Sequence, residues 1–327
     1  MSVATVSRAL SKPADVNEET RKRVMTVVER LGYRPNAIAR SLRRGQTKSL
    51  LMVVPTLSPF FLEILDGAER AAREQGFSML LGNDDLVAEQ DLAYFDLVCD
   101  GRADGMISLT GWLPAAFAPG LRPLPPIVAV LEPLPGHSTP IVRIDHQSGA
   151  EVATKHLLNL GHRRIAHIAG HRRSLSAANR LAGFKIALAA AGIQHDPALV
   201  QQGDFTVSSG ATAMKELLAL KEPPTAVFAA NDEMAFGAMT AMRSHGLSVP
   251  QDVSVVGFDD QAMAAIYNPP LTTVHIPRNE IGRRSVDELI KLINGEHPAD
   301  DLMLRTRLIE RASTAKPKAH RGRKTRR

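Results

Sequence analysis

The sequence has little cysteine and no long apolar run, and each absence excludes a class of protein. Its single cysteine, Cys99, excludes an internal disulfide framework. No stretch of about 18 apolar residues, the length a membrane-spanning helix needs, occurs anywhere in the chain. The amino terminus lacks the charged start and apolar core of a secretory signal. We therefore expect a cytoplasmic protein that does not enter membranes.

The common motifs of catalytic and metal sites are also missing. The chain contains no glycine-rich phosphate loop, no Cys/His metal spacing and no Gly-x-Ser-x-Gly segment. His162 and His167 are five residues apart near a predicted turn and strand, so they would not share a helical face. The neighbours Asp259 and Asp260 point apart in extended or turn backbone. We expect no enzyme, no metal and no cofactor, although an enzyme on an α/β scaffold stays an alternative that turnover assays would test.

What the chain does have is positive charge at both ends. Of 327 residues, positions 1–48 hold eleven Lys and Arg against four Asp and Glu, and positions 316–327 hold seven against none. The net charge is +6, so the middle of the chain is acidic. This distribution predicts a polyanion partner at the ends and a neutral or polar ligand in the middle. Residues 315–327 are expected to be a disordered basic tail that adds non-specific affinity for DNA.

Two short helices are predicted near the amino terminus. Ser2 can cap a helix over residues 2–10, and a second helix is expected from near Asn17 to Gly32. On the first helix, small residues and Arg8 would face outward, which suits close approach to base edges because arginine to guanine is the commonest specific contact. A generic amphipathic helix pair is the alternative.

A short basic helix is predicted next, between Pro35 and Gly45. Asn36 can cap it, and a helix of about two turns is marginal alone, so a partner copy or a nucleic-acid groove would have to order it. Ile38 and Leu42 form an apolar edge among arginines, as insertion into a minor groove requires. A solvated linker helix is the alternative.

From residue 48 onward, apolar strands and amphipathic helices alternate in two series. Such alternation predicts parallel sheets with helices on both faces, and two series predict two lobes. The predicted strands are Leu50–Val54, Ser78–Leu81, Gly105–Leu109, Ile127–Val130, Val142–Ile144, Arg164–Ile168, Leu199–Gln201, Ala226–Ala229 and Val253–Phe258. The predicted helices are Pro59–Gln75, Glu89–Asp100, Gln147–Leu160, Ala177–Ala191, Ser208–Leu220 and Glu233–His245. The fold class is thus α/β, preceded by a small all-α segment.

Polar and aromatic residues follow several of these strands, at the edge where such folds bind ligands. A carboxylate, an arginine and an amide can grip sugar hydroxyls, while aromatic rings pack on a sugar or base. Helix capping is the alternative for any single aspartate at a strand end. The residues in question are Ser58, Phe60, Phe61, Asn83, Asp84, Asp145, His146, Phe205, Asn231, Asp232, Asp259 and Asp260, with Arg180 at the head of a helix.

In order and spacing, several segments resemble the lactose-repressor (LacI/GalR) family of transcriptional regulators, and the whole looks most like its cytidine-repressor branch. They include Ala4-Thr5-Val6-Ser7-Arg8-Ala9-Leu10, Leu31-Gly32-Tyr33-Arg34-Pro35-Asn36, Arg180-Leu181-Ala182-Gly183-Phe184, Asn231-Asp232-Glu233-Met234-Ala235 and Pro269-Pro270-Leu271-Thr272-Thr273. The resemblance implies a helix-turn-helix headpiece (1–34), a hinge helix and linker (35–48), and a periplasmic-binding-protein-like body (49–314). Lobe one would be about 49–157 plus 277–305, and lobe two about 158–276 plus 306–314.

The resemblance also implies roles for particular residues. Val3, Ala4 and Arg8 would read bases in the major groove, with Thr5 and Ser7 on phosphates. Leu42 would wedge into the minor groove at the centre of a palindromic operator bound by a homodimer. The remaining DNA-binding residues would be Asn36, Ala39 and Arg43, and the effector site would be formed by Phe60, Asp145, Arg180, Phe205, Asn231 and Asp259.

Two departures from the family pattern accompany this interpretation. A helix that precedes the recognition helix in the family has no counterpart before Ser2, so we expect an incomplete headpiece. The loop 171–176 does not match the effector-contacting segment of purine-repressor relatives, which argues against a purine base. The function expected is a ligand-responsive repressor whose effector is a nucleoside or a sugar. The alternative is a sugar-binding protein of the periplasmic class without operator recognition.

Overall fold

The structure is a computed structural model that describes residues 2–11, 13–32, 46–84 and 92–318. It divides into two compact units, Met1–Lys48 and Ser49–Arg327, which we call the headpiece unit and the body. The predicted hinge helix, with Asn36, Ala39, Leu42 and Arg43, lies outside the described residues, as does most of the basic tail.

The headpiece unit contains the two predicted helices, α1 (Val3–Ser11) and α2 (Glu18–Arg30). Both begin where a side chain caps the first turn. Ser2 Oγ accepts a hydrogen bond from the Thr5 amide (3.2 Å), and Asn17 Oδ1 accepts one from the Thr20 amide (2.8 Å). These caps satisfy amides that have no partner within the helix.

The body consists of alternating strands and helices. Its strands are β1 (Ser49–Val54), β2 (Ser78–Asn83), β3 (Gly105–Ser108), β4 (Ile127–Val130), β5 (Ile141–Ile144), β6 (Ile165–Ala169), β7 (Val200–Gln202), β8 (Ala226–Ala229), β9 (Ser254–Asp259), β10 (Thr272–His275), β11 (Asp301–Leu304) and β12 (Arg307–Ile309). Its helices are α3 (Pro59–Glu74), α4 (Ala93–Cys99), α5 (His146–Asn159), α6 (Leu175–Ala190), α7 (Val207–Leu218), α8 (Asp232–Ser244), α9 (Ala262–Ile266) and α10 (Arg278–Ile293).

The strands form two sheets of six, one in each lobe. Sheet one has the order β11-β5-β4-β3-β1-β2, and sheet two the order β12-β10-β9-β8-β6-β7. Neighbouring strands are parallel except β10 and β12, which pair antiparallel at the edge of sheet two. Strand β1 is buried on both faces, with Leu50 and Met52 at 0% exposure and Val53 at 4%, as its continuous apolar run predicts. The predicted two-lobed α/β fold is confirmed.

The chain passes between the lobes three times. The crossings follow β5, precede α10 and lie between β11 and β12. Helix α5 already packs on lobe two, because Gly149 lies against the Phe258 ring and Gly183 of α6 against the Gln147 carbonyl. The first crossing is therefore near Asp145, whereas the sequence placed the end of lobe one near residue 157.

Candidate functional site

Residues that follow strands of both sheets meet between the lobes, in a region that we call the cleft, and the buried Arg180 of α6 lies among them. This arginine is 4% exposed. Its Nη1 donates to the Ala230 carbonyl and lies 3.4 Å from Asp259 Oδ1, while its Nε donates to His146 Nδ1 at 3.2 Å. The guanidinium carbon also lies 3.9 Å from the centre of the Phe258 ring. These contacts fix the arginine fork in one orientation.

Asp259, the last residue of β9, is held beside this arginine by an unusual backbone. Its φ is +117°, a region that residues other than glycine seldom adopt. Arg278 at the start of α10 donates to the Asp259 carbonyl and, at 2.8 Å, to that of Asp260. Arg278 also donates to Glu63 of α3 at 2.8 Å, so it ties lobe one to the end of β9. The Asp259 Oδ1 atom is buried and accepts no hydrogen bond from the described residues.

Asn231 and Phe205 form a second part of the cleft wall. Asn231 Oδ1 accepts from the Met234 amide (3.0 Å) and so caps α8, while its Nδ2 donates to the Phe205 carbonyl (2.9 Å). Phe205 has φ +72°, and its ring covers Gly170, where a side chain would collide with it. The Phe205 ring centre is 6.0 Å from the Arg180 guanidinium.

The other two predicted effector residues join the same network at its edges. Asp145 caps α5, since its carboxylate accepts from the Ser148 amide (2.9 Å) and hydroxyl (2.6 Å), and its neighbour His146 contacts Arg180. The Phe60 ring of α3 lies 5.8 Å from the Arg278 guanidinium. The structure thus links five of the six predicted residues by direct contacts, and Asp145 adjoins them through its sequence neighbour His146. Capping, the alternative the sequence left open, does occur at Asp145 and Asn231.

Burial dominates the electrostatics of this cleft. It raises the pKa of Asp259 to about 6, although the positive charges of Arg180 and Arg278 oppose the rise. The neighbouring Asp232 is fully buried, and burial with the nearby Asp259 charge raises its pKa well above the usual range. Burial also lowers the pKa of His146 well below its usual value, and the Arg180 charge adds to this. His146 is therefore a neutral ring, and since its Nδ1 accepts from Arg180, its proton is on Nε2.

Four further residues shape the cleft. His146 and Asp232 were noted at strand ends without a role of their own, whereas Arg278 and Glu132 were missed by sequence reasoning. Glu132 follows the end of β4, so the rule that polar residues at strand ends face the ligand would have found it. Asp232 directly follows Asn231, and its carboxylate accepts from the Gln261 amide (2.7 Å) and the Thr273 hydroxyl (2.5 Å). No local pattern marks Arg278, because its partner Glu63 is 215 residues away.

In the headpiece unit, all five residues predicted to contact the major groove lie on α1: Val3, Ala4, Thr5, Ser7 and Arg8. Ala4 and Arg8 are exposed, while Thr5 is half-buried and its hydroxyl lies 2.9 Å from that of Ser2. Ala9, which follows Arg8, is buried at 3% exposure. Helix α1 therefore presents a small residue and an arginine to solvent.

Comparison with known families identifies both units. Residues 1–36 match the model of bacterial regulatory proteins of the lacI family, and residues 154–314 match a periplasmic binding protein-like domain. The chain is 38% identical over 317 residues to the HTH-type transcriptional repressor CytR of Escherichia coli (strain K12), covering 96% of this chain and 93% of that protein. The chain belongs to the LacI family. This confirms the family and the cytidine-repressor likeness expected from the sequence.

Solved structures of LacI-family members extend the similarity to nearly the whole chain. The lac repressor dimer bound to operator and the anti-inducer ONPF has a TM-score of 0.84 at 28% identity and covers 96% of each chain. The transcriptional regulator CelR in complex with cellobiose has a TM-score of 0.75 at 33% identity and covers 95% of each. The relatives are transcriptional repressors rather than enzymes. No helix within the described ranges is long and apolar enough to cross a membrane.

Proposed function

We propose that the protein is a transcriptional repressor that binds a palindromic operator as a homodimer and responds to a nucleoside or sugar bound between its lobes. The observation that carries the proposal is the presence in one chain of a lacI-type headpiece and a cleft built around a buried Arg180–Asp259 pair. A periplasmic sugar-binding protein would have the cleft without the headpiece. We also propose that the protein has no catalytic role and that it is located in the cytoplasm, where operator DNA is found.

On the DNA side, α1 is the recognition helix. Val3, Ala4 and Arg8 would contact base edges, and Thr5 and Ser7 would contact phosphates. The exposure of Ala4 and Arg8 supports this assignment. Hinge residues Asn36, Ala39, Leu42 and Arg43 complete the proposed interface, with Leu42 as the wedge between base pairs at the operator centre.

On the effector side, the cleft suits a neutral molecule with hydroxyl groups. Arg180 and Asp259 neutralise each other, so an ionic ligand would leave one charge buried without a partner. Asp259 Oδ1 can accept a hydrogen bond from a ligand hydroxyl, since no described residue donates one to it. Phe205 and Phe60 would pack against the apolar faces of a sugar or base. Asp145 and Asn231 retain hydrogen-bonding capacity beyond their capping bonds.

Exposed apolar residues on lobe one support dimerisation. Strand β2 is an edge of sheet one, and its Leu80 and Leu81 are 40% and 41% exposed. Leu62 on the neighbouring α3 is 46% exposed. An unpaired edge with apolar side chains favours pairing with another chain, and a second copy related by a two-fold axis would present the same surface.

Operator selection from random DNA tests the DNA-binding half of the proposal. The unmodified protein should enrich a palindrome, and Arg8→Ala should relax the preference at one base pair in each half-site by about 1–3 kcal/mol. Arg30→Ala, which removes the same charge from the end of α2, should leave base preference unchanged. Recovery of no common sequence by the unmodified protein would contradict the proposal.

Calorimetric titration with matched nucleosides and sugars tests the effector half. At least one neutral compound should bind, and Arg180→Ala and Asp259→Ala should each abolish the binding. Glu151→Ala, which removes a carboxylate paired with Lys155 within α5, serves as the control. Binding that survives both cleft substitutions would rule out this site.

A further inference from the structure

A carboxylate from lobe one reaches across the cleft to a helix of lobe two. Glu132, just after β4, accepts hydrogen bonds at Oε1 from the Ser174 hydroxyl (2.8 Å) and the Ser176 amide (3.1 Å). The contact lies outside the three segments where the chain itself passes between the lobes. It therefore joins the lobes by hydrogen bonds that can break and re-form.

The local backbone is shaped for this contact. Leu131 has φ +67°, an uncommon conformation for a branched residue, and it directs the next residue away from the strand. A side chain at Gly111 would lie 3.1 Å from both Cβ and Oε2 of Glu132, so a glycine keeps space for the carboxylate. Two residues with positive φ, Leu131 and Gly111, thus lie next to Glu132.

The receiving end is the amino terminus of α6. Ser174 caps this helix, and its hydroxyl accepts from the Ala177 amide (3.2 Å). The Ser176 amide belongs to the first turn and has no carbonyl partner within the helix, so Glu132 satisfies it. A carboxylate at this end also interacts favourably with the helix dipole. Ser176 is 8% exposed, and an unsatisfied amide there would be costly.

The same helix carries the arginine of the cleft. Arg180 is four residues beyond Ser176, about 6 Å along the axis at 1.5 Å per residue. Because a helix moves as a rigid unit, the position of its first turn determines where the guanidinium meets a ligand. The Glu132 contact therefore acts on the effector site from a distance.

We propose that Glu132 is a positioning residue that latches α6 of lobe two to lobe one and so holds Arg180 in its ligand-binding position. The inference rests on the proposed effector function. A body held in the binding-competent arrangement binds more tightly than one that populates it only in part. Loss of the latch should therefore lower affinity without removing any predicted ligand contact.

Hydrogen–deuterium exchange of the full chain without ligand tests the latch directly. In Glu132→Ala, the peptide containing Ser176 should exchange about tenfold faster, as expected for loss of hydrogen bonds worth about 1.4 kcal/mol. Glu132→Gln should stay close to the unmodified protein, because its amide oxygen can accept the same two bonds. Glu151→Ala, the charge-matched control, should leave α6 unchanged. Equal exchange in Glu132→Ala and the unmodified protein would overturn the proposal.

The single tryptophan, Trp112, shows whether the effect crosses between lobes. It follows Gly111 on lobe one, and its Nε1 is buried. Ser174→Ala removes one of the two hydrogen bonds from lobe two and leaves the Glu132 side chain in place. Acrylamide quenching of Trp112 should rise in this variant as well as in Glu132→Ala. If acrylamide quenching of Trp112 is unchanged in Ser174→Ala while amide exchange in α6 becomes faster, Glu132 acts only as a helix cap. That result would overturn the proposal of a latch.

Titration with the nucleoside and sugar panel then separates the latch from the function it serves. For any compound that binds, Glu132→Ala should weaken affinity about tenfold, in line with the same loss of about 1.4 kcal/mol, and Glu132→Gln should restore it. Unchanged affinity in Glu132→Ala would overturn the positioning role. If no compound binds the unmodified protein, the proposed effector function fails, while exchange and quenching still decide whether the lobes are latched.

Discussion

The headpiece unit and the body differ in how much apolar surface they bury. Among headpiece residues whose side chains are described, Ala9 and Val24 are buried, whereas Val27 of α2 and Leu31 just after it are 43% and 68% exposed. In the body, strand β1 is buried on both faces, and every residue of the central strands β3, β4, β8 and β9 is buried. Since burial of apolar area is the main source of stability, the body is expected to fold alone, and the headpiece to depend on a partner. The proposed ligand binding and DNA contact would thus be divided between a well-packed unit and a marginal one.

The largest effect should come from a side chain placed between two helices of the body. Gly282 of α10 lies against the Ile64 carbonyl, and Gly67 of α3 lies against that of Asn279. Gly282→Val would force these helices apart and should destabilise the body by about 3 kcal/mol. Arg284→Val adds the same side chain on the exposed face of α10 and should change little. Denaturant unfolding measures both, and similar midpoints would contradict the close helix contact.

Matched valine truncations compare the two units directly. Val256 in β9 is 0% exposed and Val24 in α2 is 4% exposed. Val256→Ala should lower the stability of the body by about 2 kcal/mol, because it leaves a cavity in a packed core. Val24→Ala should leave the main thermal transition unchanged and instead speed amide exchange in α1 and weaken operator binding. A lower midpoint temperature of the main thermal transition in Val24→Ala would show that the two units unfold together.

The buried charges of the body predict that ligand affinity depends on pH. The exposed ion pair of the headpiece, Lys22–Glu18, predicts no such dependence. Burial raises the pKa of Asp259 to about 6. In the proposed site, a ligand hydroxyl would donate to the ionised form of this carboxylate. The ionised fraction of such a group grows about tenfold from pH 5 to pH 7, so ligand affinity should rise by about that factor. Asp259→Asn should abolish the rise. Calorimetry across this range checks it, and affinity that increases toward pH 5 would contradict the assignment.

The smallest effect is expected where the two units are alike. Lys22–Glu18 in the headpiece and Arg70–Asp66 in α3 are both exposed pairs four residues apart on a helix. Replacing Lys22 or Arg70 by glutamine should cost about 0.2–0.5 kcal/mol in either case, because water screens the charges. Unfolding measurements at low and high salt check this. A large loss of stability at only one of the two sites would show that the replaced side chain makes a contact outside its own helix.

Much of the fold was predictable because it depends on local patterns. Apolar runs and helical periodicity predicted β1 to β9 and the main helices to within a few residues. The segment after Phe258 received no assignment, although it contains α9, α10 and three strands. In that segment β10, β11 and β12 lack the continuous apolar run that marked equally short strands such as β4. Strand β12 also lies at an edge, where only part of each side chain is buried.

The candidate site was predictable only in part, for a related reason. Arg180 and Asp259 were found through family motifs and strand ends, which are features of short segments. The latch at Glu132 joins residues more than forty positions apart. Arg278 contacts Asp259, 19 positions away, and Glu63, 215 positions away. Such contacts arise only when the sheets face each other, so periodicity cannot indicate them. Whether the predicted site residues bind DNA or ligand stays a prediction.

The points where the chain enters and leaves the body have a mechanical consequence. Ser49 enters sheet one at the amino end of β1, and Ala315 is bonded at the amino end of β9, through Ser254 and His162. Because the carboxyl ends of both sheets face the cleft, these two points lie on opposite outer edges. A force applied between them would pull along β1 and load its hydrogen bonds to β2 and β3 in shear. In this direction the hydrogen bonds of a sheet resist the force together. Under stretching, the cleft should therefore yield before either sheet, and the Glu132 bonds should be among the first to break.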